Sequence, residues 1–447
     1  MGLVFFPRGG SAHVARNLAR HLPAAGWQPT VLSGSLSVPG RPGDARAFYR
    51  GVDVRPFDMT EALAAPDPML AERPLHPSYE DRPGAQDRVF AELDDDVYAH
   101  HVRAWARALA DAGADEADVL HLHHLTPLHE AATEVAPRVP VVGHLHGTEL
   151  LMLEAIEREP GRWAHGPAWA ERMRGWADRC RRLIVLSDSQ VARAQALLGI
   201  EPGRCVRVAN GFDPGTFHPR HVDHRAHWRR HLVEAPQGWA PGGEAGSVRY
   251  AQEDIDAFGD DRGETPVLLY VGRYTEVKRI GLLIEAYARA RDGFARRAPL
   301  VLLGGFPGEW EGEHPLDTIR RTGARDVFLA GWHDHEELPA FLAASDVVVL
   351  PSVREQFGQV LVEGAACGLP AVAVAAHGPA EIVLDGETGW LVPPDDRDAL
   401  AAALVEAVND PAERRRRGQR AAEEARARYA WPALAERVAC VYEAAIG

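Results

Sequence analysis

Residues 267–290 read VLLYVGRYTEVKRIGLLIEAYARA. Val267 to Val271 is an apolar run of strand length, and Gly272 is a turn. A short polar loop follows, and from Ile280 the apolar residues recur with the helical period. A buried strand running through a loop into a helix is the repeating unit of a parallel α/β sheet. In such sheets ligands bind at the carboxyl ends of strands, and a helix N-terminus there favours anions. Arg273 and Lys278 bracket this loop. Lys278 is the single lysine among 49 basic residues, so arginine stands wherever a generic cation would serve. A compact ammonium and a planar guanidinium hold phosphate oxygens differently. A leftover lysine on a solvated helix start is the plainer account of the segment alone.

Working outward, strand-like and helix-like segments alternate over most of the chain. Strands are expected at Gly2–Phe6, Val119–His123, Val139–His144, Leu183–Leu186 and Val206–Val208, with helices at Ser11–Leu22 and from Leu128. After residue 264 the pattern restarts, with strands at 267–271, 300–303, 327–329, 347–350 and 371–374. Two successive βαβ series predict two doubly wound, mostly parallel domains facing across a cleft. The expected division is 1–212, a linker or insertion at 213–264, 265–430, and a last helix at 431–447 that returns to the first domain. Residues 35–97 and 214–264 break the alternation with proline, glycine and acid, and read as functional loops or insertions. The tail from Pro411 reads as two helices separated near Trp431-Pro432.

At 447 residues two large domains are expected. A net charge of −15 argues against a nucleic-acid partner without excluding a local anion site. The four cysteines form no C-x-x-C pair, which suggests a reducing compartment and no zinc framework. The opening MGLVFFPRGG enters a strand directly, with no cationic leader, so a cytoplasmic protein is expected. The alanine- and arginine-rich usage suggests a bacterial source.

The segment REQFGQVLVEGAACGLPAVA, residues 354–373, follows the strand VVVLP and spaces Glu355 and Glu363 as E-x7-E. Glu355 is expected in the loop, Phe357-Gly358 as a turn with open backbone N–H groups, and Glu363 one turn into a helix. Carboxylates accept hydrogen bonds from sugar hydroxyls, which suits Glu363 to a ribose and Glu355 to a transferred sugar. Solvated carboxylates explain either alone, but not the set with Arg273 and Lys278.

GRYTEVKRIGLLIEA, REQFGQVLVEGAACGLP and HGPAEIVLDGETGWLVPPDD resemble the retaining glycosyltransferases of family 4, which have the GT-B fold. The resemblance is close over about 265–430. It is looser in PRGGSAHVARNLARHL, VVGHLHGTE, RLIVLSDSQ and VANGFDPGTFHP. It implies transfer of a sugar from a nucleotide-diphosphate sugar to an acceptor hydroxyl, with retention of anomeric configuration. Arg273 and Lys278 would hold the donor diphosphate, Glu363 the ribose, and Glu355 the donor-sugar hydroxyls with the Phe357-Gly358 backbone. Gly9 and Gly10 would let backbone approach phosphate and acceptor, and His146 would sit near the sugar. The acceptor is a small molecule, glycan or lipid. This chain departs from the pattern at Lys278-Arg279, where Lys-Gly is usual, at Glu363-Gly364, where Glu-Ala is usual, and at Gln356 and Gln359. The alternatives are a GT-B phosphorylase or epimerase, or a non-enzymatic sugar-nucleotide-binding protein.

Arg8-Gly9-Gly10 is not G-x-G-x-x-G and no P-loop motif occurs, so a dinucleotide or P-loop enzyme is unsupported. His121, His123, His124, His144 and His146 end two strands. Polar cleft lining is the reading for them, and no metal and no cofactor are expected. Asp94-Asp95-Asp96 reads as a solvated acidic loop, and Arg414–Arg417 as a solvated helix face, with a membrane-surface patch as the lesser alternative. Trp169, Met173 and Trp176 have helical spacing and read as core.

Overall fold

The computed structural model of the chain describes every residue except Arg8 and residues 39–42, 81–85 and 260–264. It divides into two compact units: Met1–Asn210 with Trp431–Gly447, and Gly211–Ala430.

The first unit is built on β1 (Gly2–Leu3), β2 (Thr30–Ser35), β3 (Asp53–Asp58), β4 (Leu120–His123), β5 (Val141–His144), β6 (Arg182–Val185) and β7 (Cys205–Arg207). They form one sheet in the order β3-β2-β1-β4-β5-β6-β7, and every pairing is parallel. The second unit carries β8 (Leu268–Val271), β9 (Leu300–Leu303), β10 (Val327–Gly331), β11 (Val347–Leu350), β12 (Ala371–Val374) and β13 (Gly389–Val392). Their order is β10-β9-β8-β11-β12-β13, again all parallel. The doubly wound expectation therefore holds in each unit. The strand order reverses between β1 and β4 in one and between β8 and β11 in the other, and this switch is where the connecting loops diverge to leave a crevice.

Central strands are buried on both faces, which is why they read as apolar runs: Leu268, Leu269 and Tyr270 have no solvent exposure. Three strands escape that signature. In β2, Gly34 and two serines interrupt the run, and a Cβ at Gly34 would lie 2.4 Å from the Val4 carbonyl oxygen. β3 contains Pro56, which a central strand would not tolerate but this sheet edge does. β13 is the short opposite edge of the second sheet.

The final helix, Trp431–Ile446, belongs to the first unit. Leu434, Val438 and Val441 pack with Val14, Leu18, Val142 and Ile184. It is separated from Pro411–Tyr429 by extended Ala430, because Pro432 cannot continue a helix.

Residues 213–264, expected as a linker or insertion, are part of the second unit. Trp228, Leu232, Trp239 and Ile255 are fully buried. The Trp228 indole N–H donates to the Ala344 carbonyl at 2.9 Å and that of Trp239 to Gly305 at 2.8 Å. The 35–97 stretch likewise supplies core rather than loop alone: Met59, Met69, Phe90 and Leu93 are buried.

Two charge readings change. The acidic run is not all loop, since Asp95 and Asp96 form the first turn of the helix Asp95–Asp111. Asp94 caps that helix, its carboxylate accepting from Val97 N–H at 2.9 Å. The run Arg414–Arg417 is not one solvated face, since Arg414 and Arg417 are buried. Arg414 Nη1 donates to the Ala407 and Val408 carbonyls at 2.7 and 3.1 Å, at the end of the helix Arg397–Asn409. Arg417 donates to Gly389 at 2.7 Å and lies 4.0 Å over the Trp390 ring. Four residues span a full helical turn, so some must face inward. Trp169, Met173 and Trp176 are core, as their spacing predicts. Among the described residues, no helix is long and apolar enough to cross a membrane.

Candidate functional site

In the second unit the sequence-derived residues gather at the switch point. β8 ends at Val271, and Arg273 follows it as an exposed side chain. The Tyr270 hydroxyl donates to the Arg273 carbonyl at 2.8 Å, shaping the turn beneath it. Glu276–Lys278 is a single 3-10 turn, and Arg279 breaks it at φ 54°, just before the helix Ile280–Ala290. That left-handed position explains why glycine would be the easy residue here. Arg279 holds it with a two-pronged pair to Asp395, at 2.6 and 3.3 Å.

β11 ends at Leu350 and its loop is laced to the β8 loop. Val353 N–H and Ser352 Oγ donate to the Val277 carbonyl at 3.0 and 3.2 Å. This brings Lys278 Nζ onto Glu355 Oε2 as an ion pair, with each side chain 18% exposed. Phe357 is buried and Gly358, at φ 100°, is the N-cap of the helix Gln359–Ala366. The helix His377–Ile382, after β12, supports this turn. Gly378 N–H donates to the Glu355 carbonyl at 3.3 Å.

Glu363 lies in the second turn of that helix and is buried. Its Oε1 accepts from His335 Nε2 at 2.8 Å and from Gln359 Nε2 at 3.1 Å. Gln359 Nε2 also donates to the Gly211 carbonyl at 2.8 Å, at the start of this unit. The carboxylate thus keeps one oxygen engaged by protein and is held in orientation. Gly364, where alanine was the expected family residue, is forced: a Cβ there would lie 2.6 Å from Val348 Cγ2. His335, Gln359 and Gly378 are site residues that sequence reasoning missed. The only hints were the polar run after Trp332 and the departure at Gln359.

The first unit carries the remaining candidates after β1, which flanks its switch point, and after β5, one strand beyond it. Gly9 is the N-cap of the helix Gly10–His21, at φ −115°. A Cβ at Gly9 or Gly10 would meet nothing within 4 Å. Among the described residues no neighbour therefore requires glycine there. Arg8, the other member of that turn, lies outside the described residues.

His146 follows β5 and is half-buried. His121 and His123 on β4 face His144 on β5, and the four rings lie nearly parallel. His121 Nε2 meets His144 Nδ1 at 3.1 Å, and His123 Nδ1 meets His146 Nε2 at 2.9 Å. His121 stacks on His123 at 4.6 Å and His144 on His146 at 4.5 Å between ring centres. Burial, reinforced by the neighbouring imidazoles, pushes His121, His123 and His146 well below the usual histidine range and His144 to about 3. The grid is therefore neutral at ordinary pH. Beside it, His124 Nδ1 pairs with the buried carboxylate of Glu149 at 2.6 Å. Burial raises Glu149, but His124 and the surrounding amides outweigh it and hold the group below its usual range.

His121, His123 and His144 could offer three ligand atoms within 4.8 Å of one another. The stacking counts against chelation in this arrangement. An imidazole lone pair lies in its ring plane, so stacked rings send their lone pairs side by side rather than to one point.

Two family models match the chain. Glycosyltransferase Family 4 covers residues 8–216, and Glycosyl transferases group 1 covers residues 251–424. A D-inositol 3-phosphate glycosyltransferase from Catenulispora acidiphila is 32% identical over 275 residues, 60% of this chain and 57% of that relative. The chain thus spans little more than half the length of this curated relative. Among solved structures, sucrose-phosphate synthase from Thermosynechococcus elongatus has a TM-score of 0.68 at 21% identity, covering 99% of this chain and 98% of that one. Anabaena HepE, solved in complex with UDP and glucose, has a TM-score of 0.65 at 18% identity, covering 99% and 98%.

Proposed function

Since this chain belongs to family 4 of the glycosyltransferases, with the GT-B fold, we propose that it moves a sugar from a nucleoside-diphosphate sugar to an acceptor hydroxyl. The observation that carries this reading is the placement of Arg273, Lys278 and Glu355 on the loops after β8 and β11, the two strands flanking the switch of the second sheet, with Glu363 in the helix that follows.

The chemistry follows from the groups. As the glycosidic bond breaks, negative charge develops on the leaving diphosphate. Fixed cations at that point stabilise it without reorganising, which is where such groups give the largest rate gain. Arg273 and Lys278 supply them. Glu363, oriented by His335 and Gln359, accepts from the ribose hydroxyls. Glu355 accepts from the transferred sugar, and the open amides around Phe357-Gly358 add donors. By the family resemblance, Gly9 and Gly10 serve the phosphate and acceptor, and His146 the sugar. Retention of configuration rests on family membership. Two fixed cations in place of a metal support a reaction independent of divalent ions.

The test is release of nucleoside diphosphate from a panel of UDP-, GDP- and ADP-sugars, starting from UDP-glucose because of HepE, with acceptors that include inositol 3-phosphate. Turnover dependent on an acceptor hydroxyl, unchanged by EDTA, with NMR showing an α-product from an α-donor, is the expected result. Turnover that requires free phosphate instead would make it a phosphorylase. Tight donor binding without turnover would make it a binding protein.

A further inference from the structure

The histidine grid of the first unit holds an asymmetry that fixes its protons. Among the described residues, His123 Nε2 and His144 Nε2 are buried with no hydrogen-bond partner, whereas the Nδ1 of each meets another imidazole. A neutral imidazole carries one N–H and one bare nitrogen. An orphaned buried N–H is rarer and costlier than an under-satisfied acceptor. The proton of His123 therefore belongs on Nδ1, where it donates to His146 Nε2 at 2.9 Å. That bond makes His146 Nε2 the acceptor and leaves the His146 proton on Nδ1. The same reasoning gives His144 Nδ1–H donating to His121 Nε2, and His121 Nδ1–H donating to the Tyr442 hydroxyl at 2.6 Å.

We propose that His123 is a positioning residue that locks His146 in the Nδ1–H tautomer, so that His146 presents a hydrogen-bond donor to a sugar oxygen. This rests on the reading of His146 as a sugar-side residue. The register supports it: His123 pairs with His144 across β4 and β5, and His146 lies two residues on, so the ring of His123 lies beside that of His146. The stack of four rings restrains the ring flip that would put a carbon where His146 Nε2 meets His123. Free histidine in water favours the Nε2–H form, so the lock works against the solution preference and has a spectroscopic signature.

The experiment uses the full chain labelled with imidazole-15N histidine. Long-range 1H–15N spectra separate protonated from bare ring nitrogens, and the His146 signals are assigned by their loss in His146→Ala. In the wild type His146 should show a protonated Nδ1 and a bare Nε2. His123→Phe keeps an aromatic ring in the stack but removes the donor, and should lower kcat about tenfold and release His146 toward the solution tautomer. His123→Asn, whose amide N–H can stand where Nδ1–H stood, should recover most of that loss. A protonated Nε2 on His146 in the wild type would overturn the proposal whatever the kinetics of His123→Phe. So would a copurifying metal that ligates the same nitrogens, or an unchanged kcat in His123→Phe while His146→Ala is impaired. An unimpaired His146→Ala would instead sink the assignment of His146 to the sugar, and leave the tautomer measurement standing.

Discussion

Lys278 and Glu355, contributed by loops on either side of the strand-order switch in the second sheet, are bound to each other. One is assigned to the diphosphate and the other to the transferred sugar, so a bound donor must find both already held in place. Removing either frees the other to move. The effects of Lys278→Ala and Glu355→Ala on kcat/KM should therefore fall well short of additive. Each alone should cost on the order of 3 kcal/mol, roughly 100-fold, and a double-mutant cycle should show coupling of about 1 kcal/mol or more. Because Lys278 is the only lysine, an amine-selective reagent reports on the same pair. Modification of Lys278 should be faster in Glu355→Ala and slowed by bound nucleoside diphosphate. Additive losses, or labelling indifferent to Glu355, would remove the coupling from this account.

Glu363→Gln and Glu355→Gln should differ in kind. Ribose contacts are equal in ground and transition states, so the first change should mainly raise the donor KM. Contact with the reacting sugar tightens as charge develops, so the second should mainly lower kcat. Glu363→Gln also weakens the acceptor for His335 and Gln359, which adds to the loss of affinity. Isothermal titration with UDP separates the two, and equal affinity of wild type and Glu363→Gln would contradict the ribose assignment.

Much of this second-unit site is legible in the sequence, for a physical reason. Strands buried on both faces are apolar runs, and the loops that follow them are short, so Lys278, Glu355 and Glu363 can be placed by counting. What is hidden depends on the third dimension. Gly378 supports the Glu355 loop from the helix that follows β12, and nothing in its own neighbourhood says so. Arg414 and Arg417 look solvated in a row of four arginines, and only the ends of neighbouring elements supply the carbonyls that bury them. The histidines at 121, 123, 144 and 146 read as polar lining, yet β-sheet register turns them into one hydrogen-bonded grid.

Buried neutral histidines should make the first unit acid-sensitive well above the carboxylate range. Burial lowers His101 and His144 to about 3 and His129 to about 4. The unfolded chain takes up protons near pH 6.5 while the folded one does not. Stability is therefore full above that value and falls as pH drops toward the folded values. Each such group contributes a loss of about 2 kcal/mol between pH 6.5 and 5, before most carboxylates titrate. Urea midpoints followed by circular dichroism should drop steeply over that interval. His101→Phe, which removes one titrating group from an apolar site, should flatten the slope. A midpoint constant from pH 7 to 5 would contradict the buried neutral state.

Gly378 tests whether the Phe357-Gly358 turn sets donor affinity. A Cβ added at Gly378 would lie 2.1 Å from the Phe357 carbonyl oxygen and 2.4 Å from its Cα. Both are backbone atoms, so no rotamer change relieves the clash and the turn itself must move. That turn carries Gly358, the N-cap of the helix that holds Glu363, and it follows directly on Glu355. Gly378→Ala should thus cost about 1–3 kcal/mol of stability by overpacking, and raise the Kd for nucleoside diphosphate by about tenfold or more. Gly175→Ala serves as the control. It lies in the helix Gly166–Arg179 with nothing within 4 Å of the added Cβ, so it should gain about 0.5–1 kcal/mol from helix propensity and leave binding unchanged. If Gly378→Ala loses stability but binds the nucleotide as tightly as wild type, the turn is a packing element, and the donor contacts assigned to Phe357 and Gly358 fall with that result.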